Sequence, residues 1–127
     1  MNCICTLRNI YKAIGECEEQ LISKSGLNLN EAMAICALDG RSLCASELAD
    51  AAGMQCSQTS KIIKSLEDKK LIERHLGTTD KRNMFFALTA NGASKLNDIE
   101  TMDLCMPEVL KQLVKKNVSE TADLASH

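Results

Sequence analysis

Residues 71–92, LIERHLGTTDKRNMFFALTANG, constrain the fold more than any other stretch of the chain. Two short runs, 72–76 (IERHL) and 83–88 (NMFFAL), flank a charged segment that opens on Gly77, the pattern of two strands joined by a turn. Thr89 follows the second run, in the position of a helix N-cap. Before the first run lies 57–70, where Ile62, Ile63 and Leu66 recur at helical spacing. The 3.6-residue period then sets Ser57, Gln58, Ser60, Lys61 and Lys64 on the opposite face of that helix. The order is therefore a polar-faced helix, a hairpin with a basic tip and a capped helix.

The remaining residues extend this pattern. Leu7, Ile10, Tyr11, Ile14, Cys17, Leu21 and Ile22 recur at spacings of three and four, which predicts an amphipathic helix over about 4–23, stopped by Ser25-Gly26. A second helix is expected over about 30–38, with Asn30 as its N-cap and Asp39-Gly40 as the exit turn. Residues 41–44 suit a short edge strand, and a third helix over 47–52 starts from Ser46 and closes at Gly53. The helix capped by Thr89 is expected to run to about 103 through Ala93, Leu96 and Ile99. A last helix would open near Pro107, with Met106, Val109, Leu110, Leu113 and Val114 on its apolar side.

These elements predict a mainly α fold with a small β-hairpin wing. A winged helix-turn-helix core over about 30–90 would lie within one domain of 1–127, with N- and C-terminal helices over about 1–25 and 95–120. Those terminal helices are apolar along one side yet lie outside the compact core. Two copies of the chain can bury such stripes against each other, so the pattern predicts a homodimer. The competing arrangement folds them back on their own domain.

The chain carries a net charge of −2, but the charge is unevenly spread. Residues 57–83 hold Lys61, Lys64, Lys69, Lys70, Arg74, Lys81 and Arg82 against Glu67, Asp68, Glu73 and Asp80, a local +3 that leaves −5 for the rest. A basic face on an acidic body still steers toward phosphate. Only Tyr11, Phe85 and Phe86 are aromatic. Single-stranded nucleic acid is usually held on aromatic stacking platforms, so duplex DNA fits better. No apolar run reaches the length of a membrane span, and the N-terminus is too mixed in charge for a secretory signal. A cytoplasmic protein is the expectation.

Several spaced elements resemble the MarR family of bacterial regulators. SELADAAG, with its Leu48-Ala49 pair, is similar to the family's third helix, and SKIIKSLEDKKLIER to its DNA-reading helix running into the wing. Arg74 is followed after five residues by Asp80-Lys81-Arg82, the family's D-x-R wing signature, and Leu88-Thr89 with Gly92 matches its L-T-x-x-G. The match covers about 30–95 in motif and the whole chain in helix order. The chain departs from the pattern at Lys70, where the family usually has Gly, and at Thr59, where it usually has an apolar residue.

The resemblance implies a dimeric regulator on a pseudo-palindromic operator, more often a repressor than an activator. Arg82, near the wing tip, suits a narrow A·T-rich minor groove, where negative potential is greatest. Asp80 would hold the Arg82 guanidinium or simply supply turn chemistry, and Lys81 adds to the basic tip. Ser57, Gln58, Ser60 and Lys61 are donors suited to base edges and phosphates: Gln58 to adenine, Lys61 to guanine or to phosphate. Lys64 is a phosphate contact or a solvated side chain. Arg74 contacts the DNA backbone or braces the wing.

Relatives of this kind lose operator affinity when a phenolic or other small ligand binds, or when a cysteine is oxidised. A ligand pocket would draw on Tyr11, Ile14, Met33 and Cys36, residues that otherwise serve as core. Seven cysteines with no paired CxxC spacing do not make a secreted disulfide framework or a zinc signature. Cys56, at a helix N-terminus, and Cys17 are the redox candidates. Cys17, Cys36 and Cys105 equally read as small packed hydrophobes. No cofactor is implied. With two His and no phosphate-binding loop or nucleophile–base pair, the chain offers no catalytic constellation. The other reading is a winged-helix module that binds a protein rather than DNA.

Overall fold

The computed structural model describes residues 3–77 and 83–102, together with 108, 110 and 111. The chain divides into two compact units, Ser25–Met102 and the terminal segments Met1–Lys24 with Asp103–His127. The larger unit holds α2 (Leu29–Ala37), β1 (Leu43–Cys44), α3 (Ala45–Ala52), α4 (Cys56–Asp68), β2 (Ile72–Leu76), β3 (Met84–Leu88) and α5 (Ala90–Glu100). The terminal unit contributes α1 (Cys3–Ser25). Apart from Leu110, which is helical and half-buried, the apolar side expected for a last helix (Met106, Val109, Leu113, Val114) lies outside the described residues, as do Pro107 and Cys105.

Each helix of the larger unit starts and stops for a local reason. The second helix is capped by Asn28, not Asn30: the Asn28 side chain accepts from the Glu31 amide at 2.8 Å, and Glu31 accepts from the Asn28 amide at 3.1 Å. That reciprocal capping box satisfies two amides that would otherwise lack partners, which Asn30 has no carboxylate three residues on to match. The third helix likewise starts two residues earlier than Ser46 suggests, with Cys44 as N-cap and the Glu47 carboxylate accepting from the Cys44 amide at 3.1 Å. Gly53 then ends it at φ 67°, in the left-handed region that glycine enters without steric cost. The Met54 amide returns to the Ala49 carbonyl at 2.8 Å, and α4 begins two residues later.

Leu27, Ala34, Ile35, Leu38, Leu48, Ile62, Ile63 and Leu66 meet Leu71, Ile72, Phe86 and Leu96 in one core. The sheet is antiparallel in the order β1-β3-β2. Phe86 stands between Leu43 and Arg74 across the strands, and Phe85 between Cys44 and His75. Thr59, the polar exception inside α4, is fully buried at 1% exposure. Its hydroxyl donates to the Gln55 carbonyl at 2.9 Å, so the core receives a methyl group and no unsatisfied oxygen.

The helix-to-strand junction after α4 is tightly determined. Lys70 adopts φ 62°. This is the left-handed region, which a glycine would enter with less steric cost than lysine does. The Leu71 amide reaches back to the Leu66 carbonyl at 3.0 Å. Thr89 then ties the start of α5 to this turn: its hydroxyl donates to the Lys70 carbonyl at 2.7 Å and accepts from the Gly92 amide at 3.0 Å. Gly92 lies so close that a Cβ there would stand 1.9 Å from the Leu71 carbonyl oxygen. That oxygen cannot swing aside freely, because it already accepts from the Thr89 amide at 3.0 Å.

Two substitutions therefore move stability in opposite directions. Gly92→Ala should lower it by at least about 2 kcal/mol, since overpacking here meets backbone. Lys70→Gly should raise it by about 0.5–1 kcal/mol, the left-handed penalty less glycine's extra chain entropy. Thermal denaturation followed by circular dichroism reads both, and a neutral Gly92→Ala would refute the close approach.

Candidate nucleic-acid interface

α4 presents two faces of opposite character. Thr59, Ile62, Ile63 and Leu66 are buried, whereas Ser57, Gln58, Ser60, Lys61 and Lys64 are all exposed. The five residues read as contact candidates thus share the solvent side of one helix, in its N-terminal two-thirds. Gln55 caps that end without a side-chain hydrogen bond, and the first turn carries no acid. The positive end of the helix dipole is left unneutralised by the helix's own side chains, which suits an approaching phosphate.

β2 and β3 rise beside this helix as the walls of a hairpin, closed at its described edge by the Gly77 amide donating to the Asn83 carbonyl at 3.0 Å. Asp80, Lys81 and Arg82, the wing-tip candidates, lie outside the described residues. Arg74 lies within them, and its geometry is that of a brace. Its Nε donates to Glu67 Oε2 at 2.7 Å and its Nη2 to Glu67 Oε1 at 2.5 Å, a two-pronged clasp between β2 and the end of α4. The guanidinium also stands 5.6 Å from the centre of the Phe86 ring. A planar fork matched to a carboxylate fixes direction as well as distance. The clasp holds the Glu67 carboxyl below the usual carboxylate range and the Arg74 guanidinium above its own.

His75 is exposed on β2, as its strand position predicts. It stacks on Phe85 with ring centres 6.2 Å apart, and its Nε2 lies 3.2 Å from the Ser42 hydroxyl. The partners of two carboxylates, Glu67 and Glu31, lie beyond the reach of local sequence patterns. Glu67 is seven residues from Arg74 across a helix end and a turn, and Glu31 reaches Ser65 and Lys69, 34 and 38 residues on. The one available signal was the Asn28-x-x-Glu31 capping spacing.

None of the four pocket candidates is a core residue. Tyr11 and Ile14 on α1 are exposed at 81% and 40%, and Met33 on α2 is exposed at 40%. Cys36 is also exposed, which corrects its reading as a packed hydrophobe. Neighbouring atoms desolvate its thiol, and Glu100 and Asp39 add negative charge, so its pKa is raised and the thiolate is disfavoured. Cys56 is exposed as the first residue of α4, and Cys17 is half-buried on α1. Among the described residues, no group of three or more His, Cys, Asp or Glu is placed to hold a metal ion, and no helix is long and apolar enough to cross a membrane.

A helix-turn-helix of α3 and α4, followed by a hairpin in a three-stranded sheet, defines a winged helix-turn-helix protein. Residues 36–84 match the model of the MarR family, which spans the helix-turn-helix and reaches the first residue of β3. The family resemblance read from the sequence is therefore met within the winged helix itself. No curated protein matches the chain. Among solved structures, BpsR of Bordetella bronchiseptica superposes with a TM-score of 0.70 at 17% identity, covering 96% of this chain and 94% of that one. The transcriptional regulator BldR of Sulfolobus solfataricus gives 0.69 at 23% identity, covering 91% and 79%. A MepR variant from S. aureus, bound to an oligodeoxyribonucleotide, gives 0.61 at 16% identity, covering 98% and 99%. The shared property is the fold.

The Arg74–Glu67 clasp has a pH signature. A depressed carboxyl pKa stabilises the fold above the ordinary carboxylate range, and that contribution is lost as pH falls through the lowered value. The Arg74 Nε–H resonance should therefore be sharp and slow to exchange at neutral pH and broaden in acid. In Glu67→Gln it should be broad already at neutral pH. An identical resonance in both proteins would contradict the clasp.

Proposed function

We propose that the protein is a dimeric, sequence-specific regulator of transcription that binds duplex DNA through α4 and the wing. The observation that carries this reading is the division of α4 into a buried apolar face and an exposed face of Ser57, Gln58, Ser60, Lys61 and Lys64. Donors on an exposed helix, beside a hairpin and above an uncapped N-terminus, suit a major groove flanked by phosphates. Arg82 with Lys81 would enter the adjacent minor groove, with Asp80 steadying the tip, while Arg74 holds the hairpin against α4. The MarR match over 36–84 and the oligonucleotide-bound MepR variant support the same assignment. Nothing in this mechanism calls for catalysis or a cofactor, and a cytoplasmic location follows from an operator as partner.

The dimer rests on α1. Ile4, Leu7, Tyr11 and Ile14 recur at spacings of three and four and are exposed at 71%, 61%, 81% and 40%. A helix stripe of this size is rarely left in water. A second copy, with residues of about 95–120 joining the contact, would cover it and set two α4 helices about one turn of DNA apart. The winged-helix core of about 30–90 would then be carried between dimerising ends.

Repression relieved by an effector is the mode we favour. BpsR is a protein whose DNA binding is regulated by 6-hydroxynicotinic acid. A comparable small ligand would act here, with Tyr11 and Ile14 of α1, or Met33 and Cys36 of α2, as the candidates for its contacts, and oxidation of exposed Cys56 or of Cys17 is the competing trigger. The second functional class is a winged helix that engages a protein, for which the exposed Lys61 and Lys64 would serve an acidic partner.

Lys61→Ala and Arg82→Ala should each weaken binding to the operator by about tenfold and flatten its salt dependence by close to one counterion. Light scattering during gel filtration should give the mass of two chains at micromolar concentration. Unchanged affinity in both variants would remove the helix and wing assignments together, and a monomer would remove the dimer.

A further inference from the structure

We propose that Glu31 is a positioning residue for DNA recognition, its buried carboxylate fixing the pose of α4. The proposal rests on α4 being the helix that reads DNA. The Glu31 side chain is almost wholly enclosed, at 5% exposure, and its two oxygens serve different elements. Oε1 accepts from the Asn28 amide at the start of α2. Oε2 accepts from the Ser65 hydroxyl at 2.8 Å and from Lys69 Nζ at 2.7 Å. Lys69 Nζ also donates to the Gly26 carbonyl at 3.2 Å, so the same ammonium ties the end of α4 to the turn before α2.

Capping α2 needs only Oε1. The second oxygen is committed to α4. Ser65 and Lys69 lie one helical turn apart, and Lys61 lies one turn before Ser65, so the three form a single line along α4. One end of that line is held by Glu31, and the other carries an exposed contact candidate. The apolar side chains of α4 set how deep the helix sits, but hydrophobic packing has little directional preference. Directional bonds to a fixed carboxylate set its rotation and its advance along its axis. Burial alone would raise the Glu31 pKa, but Lys69, the Asn28 amide and Ser65 together outweigh it and leave the group below its ordinary value. The carboxylate is therefore charged when DNA binds, and its bonds to α4 are of the strong, charge-assisted kind. Contacts to base edges tolerate errors of only about half an ångström, so loosening this anchor should be felt at the far end of the line.

The test uses the full chain and the duplex upstream of its own gene, with a scrambled duplex as control. Glu31→Gln keeps the shape and removes the charge, Lys69→Met keeps the stem, and both are combined in a third protein. The proposal predicts that each single variant loses about tenfold in specific affinity and that the double loses no more than either. The salt dependence should stay that of the parent, because no phosphate contact is removed. Amide hydrogen exchange should accelerate in α4 of the free Glu31→Gln protein, with α3 and α5 unchanged. Ser65→Ala, a milder cut of the same anchor, replaces Glu31→Gln if that variant melts near the assay temperature. Parental affinity in folded variants, or exchange raised uniformly along the chain, would overturn the proposal. If the parent itself prefers no duplex, the DNA reading fails separately. Exchange then decides alone: acceleration confined to α4 upholds the anchor and uniform or absent acceleration overturns it.

Discussion

The turn at Lys70-Leu71 is the point on which the geometry of the winged helix depends. Here α4 ends, β2 begins and the first turn of α5 comes to rest. Leu71 donates to the Leu66 carbonyl and accepts from the Thr89 amide, while Lys70 accepts from the Thr89 hydroxyl. Gly92 has no side chain to hold the two segments apart. Three chain segments are thus joined by backbone contacts and one hydroxyl, and the direction in which the hairpin leaves α4 follows from them. Arg74 and Glu67 repeat the constraint one layer further out, through side chains. The polar face of α4 and the base of the hairpin are consequently tied together through both backbone and side chains.

Much of this was legible in the sequence because it is local. The strand 72–76, the cap at Thr89 and the stop at Gly53 are set by residues within a few positions of each other, and each falls where the pattern puts it. The face of α4 was legible for the same reason, since a 3.6-residue period needs no knowledge of the neighbours. The misplaced helix starts have a common cause. Asn30 and Ser46 are good capping residues, but Asn28 and Cys44 each have a glutamate three residues on that returns the hydrogen bond. A carboxylate that caps the preceding amide outweighed the intrinsic preference of a single side chain.

What stayed hidden is long-range and polar. Glu31 carries no mark of burial in its composition, and a glutamate in the first helical turn is ordinarily read as a dipole partner at the surface. It is buried because Ser65 and Lys69 come to meet it, and an unpaired carboxylate could not stay there. Arg74 had two uses open to it, and its two-pronged contact with Glu67 supports the brace. Cys36 shows the opposite error: a residue type that usually packs in a core is exposed, its thiolate disfavoured by desolvation and then by the charges of Glu100 and Asp39. The exposed line Ile4, Leu7, Tyr11 and Ile14 is the counterpart on the apolar side, a stripe whose period was evident and whose side chains nonetheless stay exposed.

The central claim is that the solvent face of α4 is the surface that meets DNA. Mapping amide shifts of the isotope-labelled protein on titration with its upstream duplex tests it most directly. The account predicts that the largest changes fall on Ser57, Gln58, Ser60, Lys61 and Lys64, with little change on the buried side chains' side of the same helix. Changes concentrated on α1 or on α2, with α4 silent, would contradict it.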